Sequence, residues 1–175
     1  MSEKKKLNPT LRLVFLAMLM ALTIIFTRFL SLSIGDTIRI GLGRLPIFAA
    51  SLWFGPLAGL MVAAGADLLG ALMTTGWNWI IMIPALLAGL LPGLLVKVFR
   101  LQKRDRNPWV CIRLVLCIVV THLFTSGIVM TFILHFVYGT PILFLLATRP
   151  LIALVEGILQ GALLYLVETR LYHEN

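Results

Sequence analysis

The sequence predicts an all-α membrane protein: six transmembrane helices with both termini cytoplasmic. Three observations carry this. Of 175 residues, 60% are hydrophobic and only 13% charged, and the mean hydropathy is +1.01, which excludes a soluble domain with a polar shell. The apolar residues gather in runs, and a helix needs about 20 such residues to cross roughly 30 Å of hydrocarbon, so this length holds at most about six or seven spans and no separate catalytic domain. The basic residues fall at alternate ends of those runs. A net charge of +8 and a pI near 10.2 would suggest a nucleic-acid partner in a soluble chain. In a membrane chain they mark cytoplasmic loops, and no nucleic acid is expected.

The first span is read at 11–30, after a segment carrying Lys4, Lys5 and Lys6. That run is too long for a signal h-region and no small-residue cleavage site follows before Arg28, so the helix is expected to be retained. The polar stretch from Ser31 to Gly43, with Asp36, Thr37 and Arg39, links it to a short second span at 45–54. Gly55-Pro56 ends that span and opens a third at 56–74. Thr75-Gly76-Trp77-Asn78 punctuates the chain before a fourth span at 79–99, and the charged segment from Arg100 to Pro108 is the plainest loop. A fifth span covers 109–137, Tyr138-Gly139-Thr140-Pro141 makes a turn, and a sixth covers 142–167. With no long linker, residues 1–175 are expected to form one helical domain. Cys111 and Cys117, six residues apart in one apolar run, suit neither a disulfide framework nor a metal site and are read as buried thiols.

Lys4, Lys5, Lys6, Arg12, Lys97, Arg100, Lys103, Arg104, Arg106, Arg113 and Arg170 all fall on one face of such a bundle, which the positive-inside rule makes cytoplasmic. Arg28, Arg39 and Arg44 gather at the opposite, outer face. Snorkelling at the interface would account for each singly. As a group, their planar forks would attract an organic anion, and Trp77, Asn78 and Trp79 on the adjoining loop would suit an aromatic part of it. The aromatic residues also fit an interfacial belt.

Asp67, Arg149 and Glu156 lie inside spans, where an unpaired charge costs roughly 2.5–3.5 kcal/mol on insertion scales. Counting along the helices puts Asp67 about 16 Å from the inner face and Arg149 about 18 Å from it. The matching depths predict that the two face one interior cavity, paired or jointly contacting a ligand; a structural ion pair is the alternative. Arg149, Glu156 and Gln160 share one helical face, and Glu156 is read as structural. Small residues recur at Gly55, Gly59, Ala63, Ala66 and Gly70, at Gly89 and Gly93, at Gly157 and Gly161, and at Ala17 and Ala21, where they let helices approach.

Enzymatic machinery is missing from this pattern. There is no G-x-x-x-x-G-K-[ST] phosphate loop, so any energy input comes from elsewhere. His122 with Ser126 has no further support for an intramembrane protease. His135 and His173 lack the companions of a metal site. No cofactor or metal is expected.

Three stretches, Thr37-Ile38-Arg39-Ile40-Gly41-Leu42-Gly43-Arg44-Leu45-Pro46, Phe54-Gly55-Pro56-Leu57-Ala58-Gly59 and Ala66-Asp67-Leu68-Leu69-Gly70, resemble the S components of energy-coupling factor (ECF) vitamin transporters, most closely the folate-type members. The motif match covers roughly residues 35–72, and the layout agrees over nearly the whole chain. The resemblance implies a substrate-binding subunit in a bacterial cytoplasmic membrane that captures a vitamin outside and docks on a T component driven by two ATPases. It implies docking through Ala17 and Ala21. It also implies folate as the vitamin; from folate's own chemistry, a carboxylate such as Asp67 is expected to accept from the pterin amino group while arginines hold the glutamate tail. Arg44 and the turn from Met73 to Trp79 depart from folate-type sequences and bear on which vitamin is bound. The competing readings are the same fold for another water-soluble vitamin or precursor, a small intramembrane enzyme, and a purely structural subunit.

Overall fold

The computed structural model describes residues 8–34, 38–73, 79–99 and 108–173, with side chains for all of these except 32–34, 38–40, 81, 108–111, 168 and 171–173. Its elements in chain order are α1 (Pro9–Phe29), β1 (Ser31–Ile34), β2 (Ile38–Gly41), α2 (Leu45–Phe54), α3 (Pro56–Leu72), α4 (Trp79–Val98), α5 (Pro108–His122), a π-helical segment (Leu123–Val129), α6 (Met130–Tyr138) and α7 (Ile142–His173). Lys4, Lys5, Lys6, Asp36, Thr37, Trp77, Asn78, Arg100, Lys103, Arg104 and Arg106 lie outside the described residues, as do the side chains of Arg39, Cys111 and His173.

Among the described residues the regular structure is helical apart from one antiparallel hairpin, in which Ser31 pairs with Gly41, Leu32 with Ile40, Ser33 with Arg39 and Ile34 with Ile38. The polar stretch between the first two helices thus holds strands that the sequence reading did not assign. Ser-Leu-Ser-Ile and Ile-Arg-Ile alternate polar and apolar residues with β-branched side chains, and Gly35-Asp36 between them is turn chemistry.

Among the described residues, three helical stretches are long and apolar enough to cross a membrane, Pro9–Phe29, Ile112–Tyr138 and Ile142–Val167; Leu45–Phe54, Pro56–Leu72 and Met82–Val98 are shorter apolar helices. Proline opens α1, α2 and α3, where its missing N–H costs nothing. Between α2 and α3 the backbone reverses at Gly55, whose φ of 101° is a conformation that side chains disfavour. In an apolar surround every backbone and hydroxyl group needs a protein partner. The hydroxyls of Thr23, Thr27, Ser31, Thr121, Thr125, Thr131 and Thr148 accordingly donate to the carbonyl four residues earlier.

Contacts between helix ends define the two ends of the bundle. Arg12, in the first turn of α1, donates to the Phe54 carbonyl at 3.0 Å and lies over the Phe54 ring, so the start of α1 meets the end of α2. Arg28 at the end of α1 donates to the Gly70 carbonyl near the end of α3 at 2.8 Å. The hairpin and the start of α2 follow at that second end. Arg12 and the α2–α3 turn mark the first end, and Gly93 of α4 packs there on Pro56.

Close helix approach depends on small residues. A Cβ on either Gly59 or Gly89 would collide with the other's carbonyl, so α3 and α4 touch backbone to backbone. Gly157 and Gly161 of α7 rest in the same way on Val119 and Val115 of α5. Pro92 removes one helical donor from α4, and the next N–H, of Gly93, reaches the Ser51 hydroxyl of α2 at 2.9 Å. One buried apolar cluster holds Phe48, Ala49, Ala88, Leu114, Ile118 and Leu164; another holds Ile47, Ala50, Val62 and Ala63, with Leu16 and Met20 of α1 against it. Cys117 is a buried free thiol.

Candidate functional site

The polar residues of the interior come together where the hairpin enters the bundle. Gly41, the last residue of β2, is held through both of its backbone polar groups. Its N–H donates to Glu156 Oε1 at 2.7 Å, and its carbonyl accepts from Gln160 Nε2 at 2.8 Å. Glu156 and Gln160 are four residues apart on α7 and project from one face. Behind them stands His122, fully buried on α5, with its ring edge on Phe48 at 5.1 Å between centroids. His122 Nε2 lies 3.1 Å from Gln160 Oε1, and Nδ1 lies 3.8 Å from Glu156 Oε2. The Gln160 amide orientation is dictated by Gly41: reversed, it would set oxygen against carbonyl oxygen. Gln160 Oε1 therefore accepts, and His122 Nε2 carries the hydrogen.

Arg44 follows three residues after Gly41, as the N-cap of α2. Its guanidinium is within electrostatic reach of Glu156 and Asp67, and its Nη1 is buried with no hydrogen-bond partner among the described residues. Asp67 is half-buried on α3 and feels Arg44. Arg149, on α7 one face above Glu156, is within reach of Arg44 and Glu156. Two guanidinium groups and two carboxyl groups thus surround one region, and they come from the α2 cap, α3 and α7.

Asp67 and Arg149 are each within electrostatic reach of Arg44, and Arg149 is also within reach of Glu156. Arg44, which follows the hairpin, thus adds a charge that the depth count did not include to the region of Asp67 and Arg149. Arg39 sits on β2 opposite Ser33. Trp79 opens α4 at the same end of the bundle and is 70% exposed. Ala17 and Ala21 lie on the exposed face of α1, beside Leu13, Met18, Leu22 and Ile25. Sequence reasoning missed the roles of His122 and Gly41. His122 is 38 residues from Gln160, and the pair has no local spacing to betray it. No cluster of three or more metal-ligating side chains exists among the described residues.

The family model of the ECF-type riboflavin transporter S component matches residues 8–174. The chain belongs to this family. Its members are the substrate-binding components of transporters and not enzymes. Among curated proteins, the Folate transporter FolT of Clostridium novyi (strain NT) is 39% identical over 69 residues; the matched stretch spans 39% of this chain and 38% of that relative. The fold agrees with a solved S component of a bacterial ECF transporter, at a TM-score of 0.75 and 23% identity over 95% of this chain and 98% of that one. FolT bound with folic acid superimposes with a TM-score of 0.73 at 20% identity, covering 93% and 97% of the two chains. An S component for biotin gives 0.71 at 19% identity over 97% and 95%. As a member of the S-component family the chain is a membrane protein, and its apolar helices are of the length and composition this requires.

Proposed function

We propose that this S component is the high-affinity folate-binding subunit of an ECF importer in a bacterial cytoplasmic membrane. All six apolar helical segments cross the bilayer, counting α5 through α6 as one, and both termini are cytoplasmic. The end that carries Arg28, the hairpin and Arg44 faces outward. Arg12, Lys97, Arg113 and Arg170 stand at the cytoplasmic end, in keeping with the positive-inside rule. Folate enters from outside, and the loaded subunit docks through Ala17 and Ala21 on a T component driven by two ATPases.

The observation that carries the substrate is the 39% identity to a folate transporter. The chemistry of the site supports it. Folate brings a pterin with donors and acceptors on one edge and a dianionic tail. Asp67 is an acceptor for the pterin amino group, and Arg44, whose Nη1 has no partner among the described residues, is a planar donor for a carboxylate. Arg39 and Arg149 would supply further positive charge, and Trp77, Asn78 and Trp79 are assigned to the aromatic part of the vitamin. A second reading, riboflavin, is favoured by the family model that spans residues 8–174. Riboflavin shares the fused pyrimidine edge and lacks the carboxylates, so the two readings differ in whether the arginines are needed.

The test is tryptophan-fluorescence titration of the purified chain, without partners, against folate, riboflavin, biotin and other vitamins. Saturable quenching by folate is expected. Selective binding of riboflavin or another vitamin keeps the S component and replaces the substrate. Absence of binding by any vitamin overturns the reading.

A further inference from the structure

The charged groups of the site are delivered by backbone, and one of them, Arg44, has a buried Nη1 with no hydrogen-bond partner among the described residues. Arg44 emerges from the short stretch Gly41-Leu42-Gly43. That stretch is gripped at both ends. At one end, Glu156 and Gln160 of α7 take the N–H and the carbonyl of Gly41. At the other, Gly43 lies so close to Thr27 of α1 that a Cβ there would collide with the Thr27 hydroxyl. Between them the Leu45 N–H closes a turn onto the Leu42 carbonyl at 3.0 Å, and the Phe48 N–H closes the first turn of α2 onto the Arg44 carbonyl at 3.0 Å. The Arg44 Nη1 is buried and unpartnered among the described residues, so that prong of the guanidinium does not fix the side chain. Its aim is therefore set by the backbone on which it is mounted.

Gln160 is the keystone of that mount. It is 1% exposed, and with its amide donating to Gly41 it has its remaining acceptor on His122. His122 is in turn wedged on the Phe48 ring of α2. A relay thus runs from α5 through α7 to the hairpin. Glu156 differs from Gln160 in having a charge that Arg44 and Arg149 feel directly, so it couples to the site in two ways. Gln160 is uncharged and couples only through geometry.

We infer that Gln160, tethered by His122, is a positioning residue for ligand recognition: it acts through the Gly41 backbone to aim the Arg44 guanidinium at the substrate. This rests on the reading of the site as the vitamin-binding site. It adds the statement that a residue without ligand contact sets affinity through one arginine. Gln160 is thereby distinguished from a general structural residue, whose loss would be felt equally with or without Arg44.

The experiment has two arms on the full-length chain in lipid nanodiscs. Hydrogen–deuterium exchange of the ligand-free protein reads the mount itself. Gln160→Leu is expected to raise exchange over residues 41–45 by about tenfold or more while α3 and α4 stay protected. Unchanged exchange there overturns the inference, and this arm needs no vitamin. The second arm is a double-mutant cycle with whichever of folate and riboflavin binds. Gln160→Leu is expected to weaken binding about tenfold in the natural background and by less than about twofold when Arg44 is already alanine. Equal losses in both backgrounds overturn it. Should Gln160→Leu fail to fold, His122→Phe keeps the ring against Phe48 and removes the tether, with the same pattern expected at smaller amplitude. If no vitamin binds, the proposed function falls, while the exchange arm still decides whether Gln160 holds the mount.

Discussion

The Gln160 side-chain amide donates to the carbonyl of Gly41 across 2.8 Å, joining residues 119 apart in the chain. The N–H of the same glycine is taken by Glu156. In a two-stranded hairpin the outer edge of each strand has unpaired polar groups, and inside an apolar bundle those groups cannot be left to water. Here α7 side chains finish β2 in place of a third strand. The same contacts bring the following residue with a long charged side chain, Arg44, between α3 and α7. Strand completion and site assembly are thus one structural event.

Arg44 is the first residue to test by substitution. Its Nη1 is buried with no hydrogen-bond partner among the described residues. Arg44→Ala is expected to weaken vitamin binding by more than tenfold, or about 1.4 kcal/mol, in a fluorescence titration. Arg44→Lys should fall between, because a point charge replaces a two-pronged donor. Asp67→Asn should cost a similar amount if the ligand presents an amino group there. Natural affinity in both Arg44→Ala and Asp67→Asn would remove the pair from the site.

The α3–α4 contact predicts a stability effect remote from the site. Gly89→Val inserts a side chain where the Gly59 carbonyl already sits, and overpacking of this kind costs about 1–3 kcal/mol. Gly70 has nothing within 4 Å of the position its Cβ would take, and Gly70→Ala leaves the carbonyl that accepts from Arg28 in place. Thermal unfolding in detergent should show a marked drop for Gly89→Val and little change for Gly70→Ala. Similar melting of the two variants would mean that the helices part without cost.

The helices were legible because apolar run length and Gly-Pro punctuation are local signals, and the break at Gly55-Pro56 is written in two adjacent residues. The charges inside the runs were equally visible, since Asp67, Arg149 and Glu156 stand out against apolar neighbours. Their partners were not. Depth counting treats helices as parallel rods, and it matched Asp67 with Arg149 without knowing that a hairpin would insert Arg44 between them. The hairpin itself is two strands of four residues, too short to outweigh the polar composition around Asp36. Contacts such as His122 with Gln160 depend on which faces of α5 and α7 meet, and that is decided by Gly157 and Gly161 packing on Val119 and Val115.

Glu156 offers a way to separate the two candidate vitamins. Its carboxyl group takes the Gly41 N–H and also faces Arg44 and Arg149. Glu156→Gln retains an oxygen acceptor for Gly41 and removes negative charge beside the arginines. An anionic ligand such as folate should then bind about fivefold more tightly, equivalent to roughly 1 kcal/mol, because less of the positive field is already compensated. Uncharged riboflavin should change little. Titration of both ligands against both proteins checks this, and equal shifts for the two would mean that the arginines do not meet a charged part of the ligand.

The exposed face of α1 predicts a separation of binding from transport. Leu16, Leu19 and Met20 turn inward against the buried clusters, so Ala17 and Ala21 look outward among Leu13, Met18 and Leu22. Two small residues one turn apart leave a shallow track into which the proposed partner helix would fit closely, and in a bilayer such packing supplies association that lipid exclusion alone does not. Neither alanine adjoins Arg44 or the Gly41 mount. Replacing both with tryptophan fills the track with bulk that faces lipid in the isolated subunit and costs it little. Uptake by the assembled transporter in reconstituted vesicles is expected to be lost, while the vitamin affinity of the isolated chain stays within about twofold of the natural value. Loss of binding in the isolated variant would mean that this face of α1 supports the site; retained uptake would mean that the partner docks elsewhere.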